Sequence, residues 1–74
     1  MEVTVKLYLA FRLGRFATGT VEVVAPATVG RVVEQLGLAE EEIGLALVNG
    51  RQAESDHGLS RFDVVQLFPV VGGG

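Results

Sequence analysis

Val3, Val5, Leu7 and Leu9 alternate with Thr4, Lys6 and Tyr8. A period of two sends the apolar set to one face of an extended chain, so VTVKLYL reads as a half-buried strand. A loop follows that holds Gly14, Gly19, Arg12 and Arg15. Thr20 to Ala25, TVEVVA, is rich in β-branched residues and reads as a second strand, which Pro26 ends. Then the period changes. Val29, Val32, Val33 and Leu36 fall on one helical stripe. Thr28 is placed to cap the helix start and Gly37 to close it in the left-handed conformation. Gly30 weakens this helix slightly, and Ala39 to Glu42 reads as a further short turn.

Leu45 to Gly50, LALVNG, predicts a third strand running into a tight turn, because Asn-Gly accepts positive φ at both central positions. Arg51 and Gln52 begin a short return strand. Ala53 to Ser60 is polar and irregular, with Leu59 as its anchor into the core. Asp63 to Phe68, DVVQLF, is the last strand, and Pro69 stops it. The order is strand, strand, helix, strand, short strand, strand. Around one helix this packs as a two-layer α+β domain. A hairpin, a crossover helix and returning strands predict a ubiquitin-like β-grasp over residues 1–71, its mixed sheet of four to five strands packed on one main helix. The final strand is expected beside the first at the sheet centre. Residues 72–74 are expected to form a flexible Gly-Gly-Gly tail.

The chain has 74 residues, 49% of them hydrophobic and 20% charged, which is enough for one small domain. No apolar run is long enough to span a bilayer as a helix, and the expectation is a soluble cytoplasmic protein with no membrane partner. The net charge of −3 and six scattered Lys/Arg give no basic face for nucleic acid. Cysteine is absent, which excludes disulfides, thiolate catalysis and cysteine-ligated metals. Any sulfur chemistry would have to use borrowed sulfur.

No constellation of an enzyme stands out. His57 is the only histidine, and Ser55, Asp56 and Ser60 lie beside it. Neighbours in sequence seldom converge as a catalytic triad does, so His57 reads as a solvated loop residue. Glu40, Glu41 and Glu42 lack the alternating spacing of a calcium loop and read as a solvated run; no metal site is expected. The glycines match no phosphate-binding pattern, so no cofactor and no ATP should bind to the chain by itself. Arg12 and Arg15 in AFRLGRF read as a solvated pair flanked by Phe11 and Phe16 at the core edge, with a small anion or partner site as the alternative. In the last strand, Val65 and Leu67 share one face, and Val64, Gln66 and Phe68 the other. Gln66 marks that second face as the exposed one and Phe68 as an exposed aromatic beside the tail.

The ending is the most informative stretch. Phe68, Pro69, Val70 and Val71 are too apolar for a discarded terminus and read as a stem. Gly72, Gly73 and Gly74 impose no side-chain width, so they suit a channel that admits only backbone. Threading them costs conformational entropy that a partner must offset.

VQLFPVVGGG resembles the ending of the MoaD/ThiS sulfur-carrier family, that of the small subunit of molybdopterin synthase in particular. Val65, Phe68, Pro69, Val71, Gly73 and Gly74 carry the likeness. VKLYLAFRLG at the start, and LVNGR with Leu59 and Asp63-Val64-Val65, extend it across the chain. Three positions depart from the family pattern: Phe62 replaces a turn glycine, Val70 a second proline, and Gly72 is an added glycine. Phe62 thus predicts a different turn.

The resemblance implies that a ubiquitin-activating-like enzyme uses ATP to adenylate Gly74. A sulfur donor protein then converts it to a thiocarboxylate. Phe68, Pro69, Val70, Val71, Gly72 and Gly73 would bind the partner, a large catalytic subunit of molybdopterin synthase or another sulfur acceptor enzyme. The chain would be a non-catalytic small subunit in molybdenum or tungsten cofactor synthesis. A carrier for thiamine thiazole or another thiolation pathway, a ubiquitin-like modifier joined to lysines through Gly74, and a plain interaction domain remain open from the sequence.

Overall fold

The computed structural model describes residues 1–71. Five strands form one mixed sheet: β1 (Glu2–Leu7), β2 (Thr18–Glu22), β3 (Ile43–Val48), β4 (Arg51–Gln52) and β5 (Val64–Pro69), with one helix, α1 (Val29–Gln35). The sheet order is β2-β1-β5-β3-β4. β1 and β5 run parallel at the centre, and every other pairing is antiparallel. This is the β-grasp expected from the element order.

The core follows from the two periods. Val3, Val5 and Leu7 of β1, Val65 and Leu67 of β5, and Ala46 and Val48 of β3 are buried against Val29, Val32 and Val33 of α1. Leu36 and Leu59 pack at the margin. Thr28 caps α1 as expected, its hydroxyl oxygen accepting from the Arg31 N–H at 3.3 Å. Gly37 closes α1 at φ +76°, and Asn49 and Gly50 turn the β3–β4 hairpin at +52° and +83°.

Four boundaries differ from expectation. Leu9 does not continue β1: it sits at φ +53°, is exposed, and opens a 3-10 turn, Leu9–Arg12. β2 starts at Thr18 and ends at Glu22, which takes Gly19 out of the loop and leaves Val24 exposed. β3 begins at Ile43, before Leu45. Pro69 is the last residue of β5 and pairs with Ile43, where a stop was expected. The last three reflect where the partner strand begins or ends, which alternation within one segment does not contain; at Leu9 the backbone turns away although β5 continues to Pro69.

The turn at Phe62 takes a backbone conformation that a glycine would also take, so its φ gives no sign of the different turn expected from the sequence. Phe62 holds φ +68°, a conformation that suits glycine, with its ring exposed and the Arg61 guanidinium 4.8 Å from the ring centre. The left-handed backbone costs an L-residue about 1–2 kcal/mol. Phe62→Gly relieves that cost and loses an exposed cation–π contact of about 0.5–1 kcal/mol. A net stabilisation of about 0.5–1 kcal/mol is expected, read as a higher urea midpoint at unchanged slope. A lower midpoint would mean that the ring's packing outweighs the backbone strain.

Candidate functional site

The chain end leaves the sheet at one pole, and three contacts set its direction. The first is a close approach. Gly44 sits at an irregularity in the β3–β5 register, between the pairs Ile43–Pro69 and Leu45–Phe68. A Cβ on Gly44 would lie 2.7 Å from the Pro69 carbonyl oxygen and 3.0 Å from the Val70 Cα. Only glycine lets the backbone of the stem pass here. The second is the Val70 N–H, which donates to the Glu42 carbonyl at 2.9 Å and ties the stem to the 3-10 turn before β3.

The third contact is an aromatic stack on the open face of the sheet. Tyr8 lies just beyond β1, and its ring stacks on Phe68 with centroids 4.2 Å apart and planes 8° from parallel. The Gln66 side-chain amide donates to the Tyr8 hydroxyl at 2.6 Å. The Arg12 guanidinium stands 5.8 Å from the Tyr8 ring centre, while its Nε donates to the Leu7 carbonyl at 3.0 Å. With Leu45 as the cross-strand partner of Phe68, the result is a largely apolar platform edged by a cation.

Phe68 and Pro69 are half-buried, and Val70 and Val71 are exposed at 57% and 77%. An exposed valine pair on a strand extension is available to a partner, where a core strand would be spent on its own fold. The helix side of the stem borders a groove of about 320 Å³ lined by Phe11, Arg15, Leu38, Glu42, Pro69 and Val70. The structure thus brings Phe68, Pro69, Val70 and Val71 together at the exit point. Gly72, Gly73 and Gly74 lie outside the described residues.

Arg12 and Arg15 are exposed but also structural. Arg15 reaches the Leu36 carbonyl from Nε at 3.1 Å and so ties the loop to the end of α1. Phe11 is buried and Phe16 packs at the core margin, as read from the sequence. Among the described residues, no hydrogen bond joins the His57 side chain to Ser55, Asp56 or Ser60; the His57 backbone carbonyl instead accepts from Val29. Gly44, Tyr8 and Gln66 were not singled out as site residues. A lone glycine inside the apolar run IGLALV is a signal of close backbone approach. Tyr8 carried no comparable signal, because its partner is sixty residues away in sequence.

The model of the Mut7-C ubiquitin family matches residues 3–72. Among solved structures, SAMP1 from Haloferax volcanii is similar with a TM-score of 0.78 and 27% identity over 100% of both chains. The putative molybdopterin converting factor, subunit 1, from Pyrococcus furiosus gives 0.79 and 29%, covering 96% of this chain and 99% of that one. The HVO 2177 protein of Haloferax volcanii gives 0.80 and 30%, covering 100% and 87%. No curated protein matches. The likeness to ubiquitin-like carriers read from the chain end therefore holds across the domain.

Proposed function

We propose that this chain, which belongs to the Mut7-C ubiquitin family, is a ubiquitin-like sulfur carrier whose Gly74 carboxylate is the working group. The observation that carries the reading is the stem. Pro69 and Val70 pass over Gly44 with no room for a side chain, and the exposed Val70 and Val71 lead into Gly72, Gly73 and Gly74.

A carboxylate is a poor electrophile, so it needs activation. An adenylating enzyme would join Gly74 to AMP from ATP, releasing pyrophosphate. Sulfide or a persulfide sulfur then attacks the acyl carbon and AMP leaves; where a persulfide delivers the sulfur, a second thiol attacks the donor's sulfur in the resulting acyl disulfide, forming a disulfide with the donor and freeing the thiocarboxylate. The carrier supplies position: its side chains dock, and its narrow end places one sulfur atom in a partner's pocket. Tyr8, Phe68 and Leu45 would form the docking platform, with Val70 and Val71 held by the partner.

Molybdopterin synthesis is the pathway we favour. Its support is the Phe68-Pro69 stem and the likeness to a putative molybdopterin converting factor subunit 1, a name that implies a second subunit as partner. The likeness to SAMP1, described as a small archaeal modifier protein, supports protein modification as a second reading. Both begin with activation of Gly74.

Incubation with ATP, sulfide and a candidate adenylating enzyme is expected to raise the intact mass by the difference between sulfur and oxygen, mapped to Gly74. A chain lacking Gly74 should melt as the full chain does and gain no sulfur. Sulfur carried by the shortened chain would end this reading.

A further inference from the structure

Groups able to attack an activated chain end are scarce in this protein. There is no cysteine, and Lys6 is the sole lysine. Arginine guanidiniums stay protonated, and hydroxyls without an adjacent base are weak nucleophiles. The His57 imidazole can also attack, but an acyl imidazole hydrolyses readily, so two amines are left that could form a lasting bond. The Met1 amino group, on a residue whose side chain is only 13% exposed, donates to the Val23 carbonyl at 2.6 Å and lies 3.6 Å from a carboxylate oxygen of the exposed Glu22. To attack a carbonyl carbon it must lose a proton, abandon that hydrogen bond and leave the carboxylate beside it.

Lys6 has no such tether. It stands in the middle of β1, between Gln66 on β5 and Thr18 on β2, on the sheet face away from α1. Among the described residues it forms no salt bridge. Its long stem can lie on the sheet while the amine reaches solvent. α-Amino groups as a class lose a proton more readily than lysines, so access rather than basicity must separate the two amines here.

We infer that Lys6 is the acceptor site of this chain for an activated Gly74 of a second copy, giving an isopeptide-linked pair. The inference rests on the reading that Gly74 is carboxyl-activated. The deprotonated Lys6 amine attacks the Gly74 carbonyl carbon and forms a C–N bond. The bond from that carbon to its leaving group, AMP or a thiol, breaks, and the amine's proton passes to solvent. Nothing is oxidised or reduced.

The position of Lys6 gives the bond a consequence. Its register neighbour Gln66 holds the Tyr8 hydroxyl, and Tyr8 stacks on Phe68. A chain joined at Lys6 removes a positive charge from that face and covers the platform by which we have the carrier dock. The acceptor copy's platform is thereby withdrawn from partner binding and the donor copy's Gly74 is spent, while the single lysine per copy prevents branching.

The test bypasses the adenylating enzyme, so its failure is distinct from failure of the carrier reading, which rests on the sulfur-dependent mass gain. The chain is prepared with Gly74 as a thioester by thiol cleavage of an intein fusion. It is mixed with excess unmodified chain at mildly alkaline pH, beside a control with lysine amide. The expected result is a covalent dimer whose digest contains Gly74 joined to Lys6, and which is lost when the acceptor carries Lys6→Arg. A dimer that persists with Lys6→Arg, or a linkage at Met1, would overturn the inference. So would the absence of dimer while the ε-amine of lysine amide is acylated, because the Lys6 amine would then be inaccessible.

Discussion

Gly44→Ala is expected to reduce sulfur loading of Gly74 by about 100-fold while leaving most of the fold in place. The added Cβ would stand 2.7 Å from the Pro69 carbonyl oxygen and 3.0 Å from both the Pro69 carbonyl carbon and the Val70 Cα. These are backbone atoms, so no flexible side-chain end can swing away. The stem must move, which breaks the Val70–Glu42 hydrogen bond and loosens the last β3–β5 pair. Overpacking of this kind costs about 1–3 kcal/mol. The functional loss is larger than the stability loss, because the moved segment aims the reacting group, and a shift near 1 Å suffices for about 100-fold. Thermal unfolding followed by circular dichroism, together with the rate of thiocarboxylate formation by intact mass, separates the two effects. Loading at the wild-type rate would show that the close approach at Gly44 does not aim the tail.

The contrast between Gly44 and the core explains which parts of this protein could be read from its sequence. The alternation in β1 and the helical stripe in α1 are local. They placed Val3, Val5, Leu7, Val29, Val32 and Val33 in the core, where they are. The Asn49-Gly50 turn and the Thr28 cap are equally local and formed as expected. Strand ends are not local. Val24 carries the β-branched side chain of a strand residue, yet β1 has run out by Met1, whose carbonyl accepts from the Val23 N–H. With no partner beyond that point, Val24 is exposed. Leu9 differs: β5 continues to Pro69, but the β1 backbone itself turns away at Leu9, φ +53°, into the 3-10 turn.

The site shows the same division. The face on which Phe68 lies followed from Val65 and Leu67 alternating with Gln66. That Tyr8 would meet it required the parallel pairing of β1 with β5 in the observed register, with Leu7 opposite Leu67. A pairing between residues sixty apart has no signature in either segment alone. The Gly44 contact with Pro69 is of this kind too, although the glycine itself was visible as an interruption of an apolar run.

Leu67→Ala and Phe68→Ala, adjacent in β5, are expected to fail in opposite ways. Leu67 has no exposed surface and lies in the central strand pair opposite Leu7, which is equally buried. Truncating it removes buried methyl groups and leaves a cavity at the centre of the sheet–helix interface, at a cost of about 2–5 kcal/mol. Small domains have roughly 5 kcal/mol or somewhat more to lose, so this variant should keep only a small part of its stability and unfold at a far lower urea midpoint. Phe68 points to the opposite face and contributes a stack on Tyr8 worth about 0.5–1.5 kcal/mol beyond its area. Phe68→Ala should therefore remain folded. Its expected defect is weaker binding to the adenylating enzyme, by about 2 kcal/mol or roughly 30-fold, because a central aromatic anchor of a docking platform carries that much. Urea unfolding reads the first prediction, and the concentration dependence of Gly74 activation reads the second, as a raised half-saturation point with little change in maximal rate. A Leu67→Ala with an unshifted urea midpoint would contradict the placement of the core. A Phe68→Ala with unaltered concentration dependence would remove the open face from the docking surface and leave the stem valines to carry recognition alone.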